Sequence, residues 1–137
     1  MAESAARSDA VGEVVGEFEV TRWEEAPYDE PADGPRLTRV TVHKTFRGAI
    51  DGTSIAELLT AQGGDGRGYV ASERFTGSIA GRQGTVVFQH GGLDDGHTPT
   101  TCGQVVPGSG TGDLAGLAGS VSYAHDDSGA RVTLVLG

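Results

Sequence analysis

The sequence predicts an all-β fold, a single eight-stranded antiparallel barrel. Three observations carry that prediction. Glycine supplies 23 of the 137 residues, while hydrophobic residues stop at 36%; this mixture suits a small β protein with many tight turns. From Gly16 onward apolar and polar residues alternate with period two, the mark of strands with one face turned inward. Clusters of Gly and Asp punctuate the chain at even spacing, and no segment reads as a long helix. Eight strands at hairpin spacing favour closure into an up-and-down barrel, because closure removes the free edges that pair with other chains.

Met1 to about Val15 is small, polar and acidic, and is expected to be a disordered N-terminal tail over 1–15, with the barrel occupying 16–137. The first strand, "GEFEVTRWE", sets Phe18 and Val20 against Glu17 and Glu19. The Pro-rich acidic loop "EEAPYDEPADGP" follows. "RLTRVTVHKTF" places Val40, Val42 and Phe46 on one face, with Arg39, Thr41 and His43 on the other. After "GAIDGT" comes "SIAELLTAQ". Next are the turn "GGDGRG", the strand "YVASERFTG", the turn "AGRQG" and the strand "TVVFQHG". The turn "GLDDG" leads into "HTPTTCGQVVP". Beyond a Gly-rich stretch lie "SVSYAH", the turn "DDSG" and "ARVTLVL".

The Gly-rich stretch "VVPGSGTGDLAGLAG", Val105 to Gly119, contains "GSGTG" and so superficially matches a dinucleotide fingerprint. A true fingerprint follows a strand and opens a substantial helix within a βαβ unit. Here "DLAGLAGS" is too short and Gly-broken for that helix, and the Gly-Lys-Ser/Thr of a Walker A loop is absent. The expected role is a structural corner, with Gly108, Gly110 and Gly112 permitting positive φ. Leu114 and Leu117 should fall back onto the barrel as a plug or rim.

Charge narrows the partners. Ten Lys and Arg stand against 19 Asp and Glu, a formal net charge of -9. Nucleic acid and anionic membrane surfaces require clustered basic residues, and none cluster here. The single cysteine, Cys102, excludes an internal disulfide. No segment has the apolar core of a signal peptide or transmembrane length, so the cytoplasm is the expected location. Homo-oligomerisation is left open.

The phrases "VVPGSGTGDLAGLAG", "GRQGTVVFQHGG", "SERFTG" and "WEEAPYDE" together resemble the bacterial domain-of-unknown-function family thirty-two twenty-four. That family is grouped with the allene oxide cyclase-like barrels and with plant dirigent proteins. The resemblance runs from about Gly16 to Leu136. It implies an eight-stranded antiparallel barrel with a lumen, and small apolar ligands within it. It transfers no reaction, because fold does not specify chemistry.

Three ionisable groups share faces with apolar neighbours. Glu57 lies with Ile55 and Leu59, Glu73 with Tyr69 and Phe75, and His90 with Val86 and Phe88. A hairpin centred on Asp65 sets Glu57 opposite Glu73. A second centred between Gly81 and Arg82 sets Glu73 opposite His90. Opposed residues have Cβ atoms about 5 Å apart, so the three would form one row across the lumen. A one-residue bulge would break the row. Such a row offers a general acid and base for enolisation, ring closure or water addition. The alternative is a Glu–His pair that fills the lumen and satisfies itself.

The candidate catalytic residues are therefore Glu73, His90 and Glu57. Trp23, Tyr69, Phe75, Phe88 and Cys102 are the candidate ligand-pocket residues. "HGGLDDGH" brings His90, Asp94, Asp95 and His97 close in sequence, but "DDG" is ordinary hairpin chemistry and the spacing is not that of a metal site. Neither metal nor cofactor is expected. Two functions follow: a cofactor-independent isomerase or cyclase acting on a small, largely apolar metabolite, or a non-catalytic barrel that binds or orients one. A filled scaffold is the third option, and the openness of the lumen discriminates between them.

Overall fold

The computed structural model of the chain describes residues 12–137. It is a closed barrel in which eight strands follow one another in sequence order around the wall, every neighbouring pair antiparallel. The strands are β1 (Glu13–Asp29), β2 (Arg36–Gly48), β3 (Ile50–Gln62), β4 (Arg67–Ile79), β5 (Arg82–Asp94), β6 (Thr100–Val105), β7 (Gly119–Asp126) and β8 (Gly129–Leu136). One 3-10 turn, Gly112–Leu114, interrupts the pattern.

The tail expected over 1–15 lies, for residues 1–11, outside the described residues. Its last part is barrel wall. Glu13, Val14 and Val15 pair with Val135, Leu134 and Thr133 of β8, and Val14 packs against the core. The alternation of two simply begins three residues earlier than Gly16.

The wall is uneven. β2 to β5 are 13 residues each, whereas β7 and β8 have eight. β1 pairs with β8 only as far as Phe18, opposite Ala130. β6 meets β7 only at Gln104 and Ser120. The barrel is thus closed at one end, while at the other β1 to β5 run on beyond the short β6 and the β7–β8 hairpin as an open mouth.

The closed end is solid. Phe18, Phe46, Phe75 and Phe88 are buried together with Ile50, Ile79, Val86 and Leu134. Phe46 meets Phe75 edge to face with ring centres 5.4 Å apart, a favoured aromatic geometry. The Gly-rich stretch seals this end. Leu114 is fully buried and Leu117 nearly so. The segment is held by the Thr111 amide donating to the Thr85 carbonyl at 2.8 Å. Gly84 makes that docking possible, since a Cβ there would lie 2.0 Å from the Thr111 carbonyl oxygen. The corner role is what the structure contains, with positive φ at Gly108 (78°) and Gly112 (59°); Gly110 departs from the expectation, being required instead by close approach, since a Cβ there would lie 1.9 Å from the Leu114 carbonyl oxygen.

Leu114→Ala should therefore open a cavity beneath the plug and cost about 2–4 kcal/mol, read as a lowered urea midpoint with an unchanged m-value. An m-value and midpoint both unchanged would mean that the plug is not part of the cooperative core.

Candidate functional site

Glu73 sits on β4 with its side chain in the lumen and no exposure to solvent. Its carboxylate gathers donors from four other strands. Oε1 accepts from His90 Nε2 of β5 at 2.8 Å, Lys44 Nζ of β2 at 3.1 Å and Tyr123 Oη of β7 at 2.7 Å. Oε2 accepts from Ser54 Oγ of β3 at 2.5 Å. The Lys44 ammonium also lies over the rings of Tyr123 and Phe18, 4.5 and 4.9 Å from their centres, where the π face favours a cation. Burial alone would raise the Glu73 carboxyl. His90, Lys44, Ser54 and Tyr123 overcome it and hold the group at about 2, below its ordinary 4.5. The same burial, reinforced by the Glu73 charge, pushes the Tyr123 hydroxyl well above its usual range.

His90 extends the network outward. Its Nδ1 is 2.9 Å from the Tyr69 hydroxyl. An ionised carboxylate only accepts, so Nε2 carries the proton toward Glu73. Glu73 is already balanced by Lys44, and a second cation in the same enclosed layer would leave a buried net charge. With Nε2–H committed to Glu73, the neutral ring offers Nδ1 as an acceptor, and Tyr69 donates to it. The result is a carboxylate–imidazole–hydroxyl chain running from the closed lumen toward the mouth. The Tyr69 hydroxyl is raised by burial first, then by Glu73 and Cys102, and so stays protonated at neutral pH.

Tyr69 forms part of the wall of a cavity of about 380 Å³ in the mouth, with Trp23, Leu58, Thr60 and Thr101 around it. A second carboxylate organises this wall. Glu25 Oε1 accepts from Trp23 Nε1 at 3.1 Å. Its Oε2 accepts from Thr38 Oγ1 at 2.9 Å and Gln62 Nε2 at 2.8 Å. Gln62, Trp23 and Thr38 lower the Glu25 carboxyl, in that order. A larger concavity, about 660 Å³, lies on the outer surface between Leu59 and Val70 on one side and Ser72 and Gln89 on the other. Those four side chains face solvent, and although His90 also borders this concavity, the Tyr69 hydroxyl at the end of the network lines the mouth, so the mouth is the candidate site.

The sequence-derived residues divide accordingly. Glu73 and His90 are brought together, though not directly opposite: Glu73 pairs with Phe88 and His90 with Ala71. The β4–β5 turn is a two-residue hairpin at Ala80 and Gly81, both with positive φ (51° and 83°), as a type I′ turn requires. The register is thus two residues from the expected one, and an even slip keeps both side chains inside. Glu57 is a correction. A four-residue loop joins Gln62 to Arg67, so Glu57 pairs with Ser72 and not Glu73. That one-residue slip turns it outward, where it bonds Arg39 and Thr41.

Cys102 is a second correction. Gly103, opposite His90, faces in, and its neighbour Cys102 is exposed on the outer surface. Phe75 and Phe88 are a third, since both are fully packed in the closed end and line no cavity. Trp23 and Tyr69 do line the mouth. Asp94 and Asp95 cap their own turn through the amides of Gly96, His97 and Thr98. Among the described residues no cluster of three metal-ligating side chains occurs.

Lys44, Tyr123, Ser54 and Glu25 are the residues sequence reasoning missed. Lys44 shares its parity with Val40, Val42 and Phe46, and Tyr123 with Val121, so the signal was present for both. Glu25 carried none. β1 pairs Val20 with Lys44 but Arg22 with His43. This one-residue bulge at Thr21 moves the inward face from even to odd numbers.

A closed antiparallel β-barrel, with a buried carboxylate layer and an open mouth, is the class of structure defined here. The chain belongs to the family described as protein of unknown function (DUF3224), whose pattern it matches over residues 14–136. It is similar to the crystal structure of a protein with unknown function from that family, from Shewanella oneidensis MR-1. The two are 30% identical, with 92% of this chain and 96% of that chain covered and a TM-score of 0.80. No curated protein matches.

Two substitutions separate the inner carboxylate from the outer one. Glu73→Gln leaves Lys44 enclosed without a counter-charge and should cost about 3–5 kcal/mol at pH 7, whereas Glu57→Ala should cost less than about 1 kcal/mol. The pH dependence has a definite sign. The folded value of about 2 lies below the ordinary 4.5, so the Glu73 contribution is present above about pH 4.5 and lost as pH falls toward 2. Urea midpoints of wild type and Glu73→Gln should therefore converge between pH 5 and about 2. Parallel curves over that window would rule out an ionised, network-bound Glu73.

Proposed function

We propose that the barrel holds a small, largely apolar molecule in its mouth, between Trp23 and Tyr69. The mouth cavity carries this reading. It is predominantly apolar, its volume of about 380 Å³ falls within the ~300–1,000 Å³ usual for small-molecule sites, and it is built on strands whose side chains are fixed by bonding. Trp23 is held by Glu25, and Tyr69 by His90. The solid closed end argues against a ligand that threads the lumen.

Cofactor-independent isomerase or cyclase chemistry is the second reading, and the carboxylate–imidazole–hydroxyl chain favours it. Glu73 would not be the base, because its carboxylate is fully buried and held by four protein donors. Tyr69 would be the group touching substrate. Its oxygen would accept a substrate proton as its own proton passed to His90 Nδ1, with Glu73 stabilising the imidazolium.

The binding reading is tested with N-phenyl-1-naphthylamine, a neutral apolar dye whose emission rises in apolar surroundings. Trp23 is the only tryptophan and forms part of the cavity wall, so its fluorescence should be quenched in step with dye binding. Thr101 is exposed at the rim with its side chain toward the cavity. Thr101→Phe should fill the space and weaken the dye at least about tenfold, with folding intact. Undiminished binding by Thr101→Phe would exclude the mouth as the site.

A further inference from the structure

Resting on the mouth as the binding site, the pattern of spent and unspent protons along its wall specifies what the ligand must present. Glu73 draws on one side of the wall. It fixes Nε2–H of His90 toward itself, which leaves Nδ1 to take the Tyr69 proton. Among the described residues Tyr69 makes no other side-chain bond, so its oxygen keeps a lone pair and no hydrogen.

Glu25 draws on the other side. The Trp23 N–H is spent on Glu25 Oε1. Thr38 donates to Glu25 Oε2, so in the short Thr38–Thr60 contact the proton comes from Thr60. Thr60 in turn accepts from Gln62 Nε2 at 3.2 Å, and the other Gln62 amide hydrogen goes to Glu25. Each donor follows from the one before, because a carboxylate accepts only and a hydroxyl has one proton. A buried carboxylate and one at the rim thus pull the hydrogens of Trp23, Thr60, Gln62 and Tyr69 away from the cavity. The side-chain donors left on its lining are those of Arg67, Thr100 and Thr101, all exposed at the rim.

We infer that the mouth selects neutral ligands that donate a hydrogen bond, phenols or alcohols on an apolar body, and discriminates against ethers of the same shape. A donor on the ligand meets the open lone pair of Tyr69. An ether oxygen meets another acceptor, and its desolvation goes uncompensated. Discrimination is strong where a site is built to bond one polar group and a competitor lacks it.

The experiment compares 1-naphthol with 1-methoxynaphthalene, by calorimetric titration at pH 7, in wild type and Tyr69→Phe. Wild type should bind the naphthol roughly tenfold or more tightly than the ether, the worth of one buried hydrogen bond. In Tyr69→Phe that ratio should fall to near one while the ether's affinity stays within about twofold. Equal binding of the two probes by wild type overturns the inference while leaving the mouth as a binding site, and so does a preference that survives Tyr69→Phe. Binding of neither probe overturns the inference together with the mouth site on which it rests. The wild-type comparison stands even if Tyr69→Phe proves unstable.

Discussion

A carboxylate with no access to water dictates much of this structure. Burying Glu73 is tolerable only with donors on both oxygens and a cation beside it. Those partners come from β2, β3, β5 and β7, and β7 lies across the lumen from β4. Glu73 is therefore a cross-brace that only the closed barrel can satisfy. A buried ion pair is not by itself a strong stabiliser relative to a packed apolar core. Its structural effect is on register. Slipping β4 by one residue would turn Glu73 out and bring Arg74 in, stranding Lys44 beside a second cation.

Strand order and closure were legible because alternation of two and the Gly/Asp turns repeat along the whole chain. The site was legible only as far as turn geometry could be guessed. Placing the β4–β5 turn one position late shifts the pairing by two residues, and an even shift preserves the face, so Glu73 and His90 still meet. Placing the β3–β4 turn half a residue late shifts the pairing by one, and an odd shift inverts it, so Glu57 leaves the lumen. Ile55 and Leu59 could not warn of this. They are large and apolar yet about half exposed on the outer face, and hydrophobic neighbours then give the wrong inside. Lys44 had the opposite problem. Its face was unambiguous, but a lysine among valines reads as an exception until its carboxylate is known.

The network also separates two tasks that one ionisable cluster could be thought to share. Glu73 has no free lone pair with an open approach, and Lys44 is committed to it and to two aromatic faces. What reaches the mouth is the far end of the chain, the Tyr69 oxygen. The charged layer therefore acts on a ligand only through His90, by fixing which way the Tyr69 proton points. Because family membership comes with no assigned activity, this orientation is a firmer guide to ligand chemistry than the fold.

The mouth exists through two local irregularities. The β7–β8 hairpin stops at Asp126 and Gly129, close to the level where Ala130 pairs with Phe18. Eight-residue strands reach about 26 Å against about 43 Å for thirteen, at ~3.3 Å per residue, so the wall ends there on one side. Just past that level the bulge at Thr21 changes the parity of β1. Without it Arg22 and Glu24 would point inward and Trp23 outward, and the opening would be lined by a charged pair. With it Trp23 and Glu25 turn inward, opposite Val42 and Val40. One carboxylate then orients the indole and its polar neighbours while keeping 22% of its own side chain in contact with water. A missing stretch of wall and a single extra residue together convert the end of a packed barrel into an apolar, aromatic-walled opening. Its polar character is set from behind by Glu73 and from the rim by Glu25.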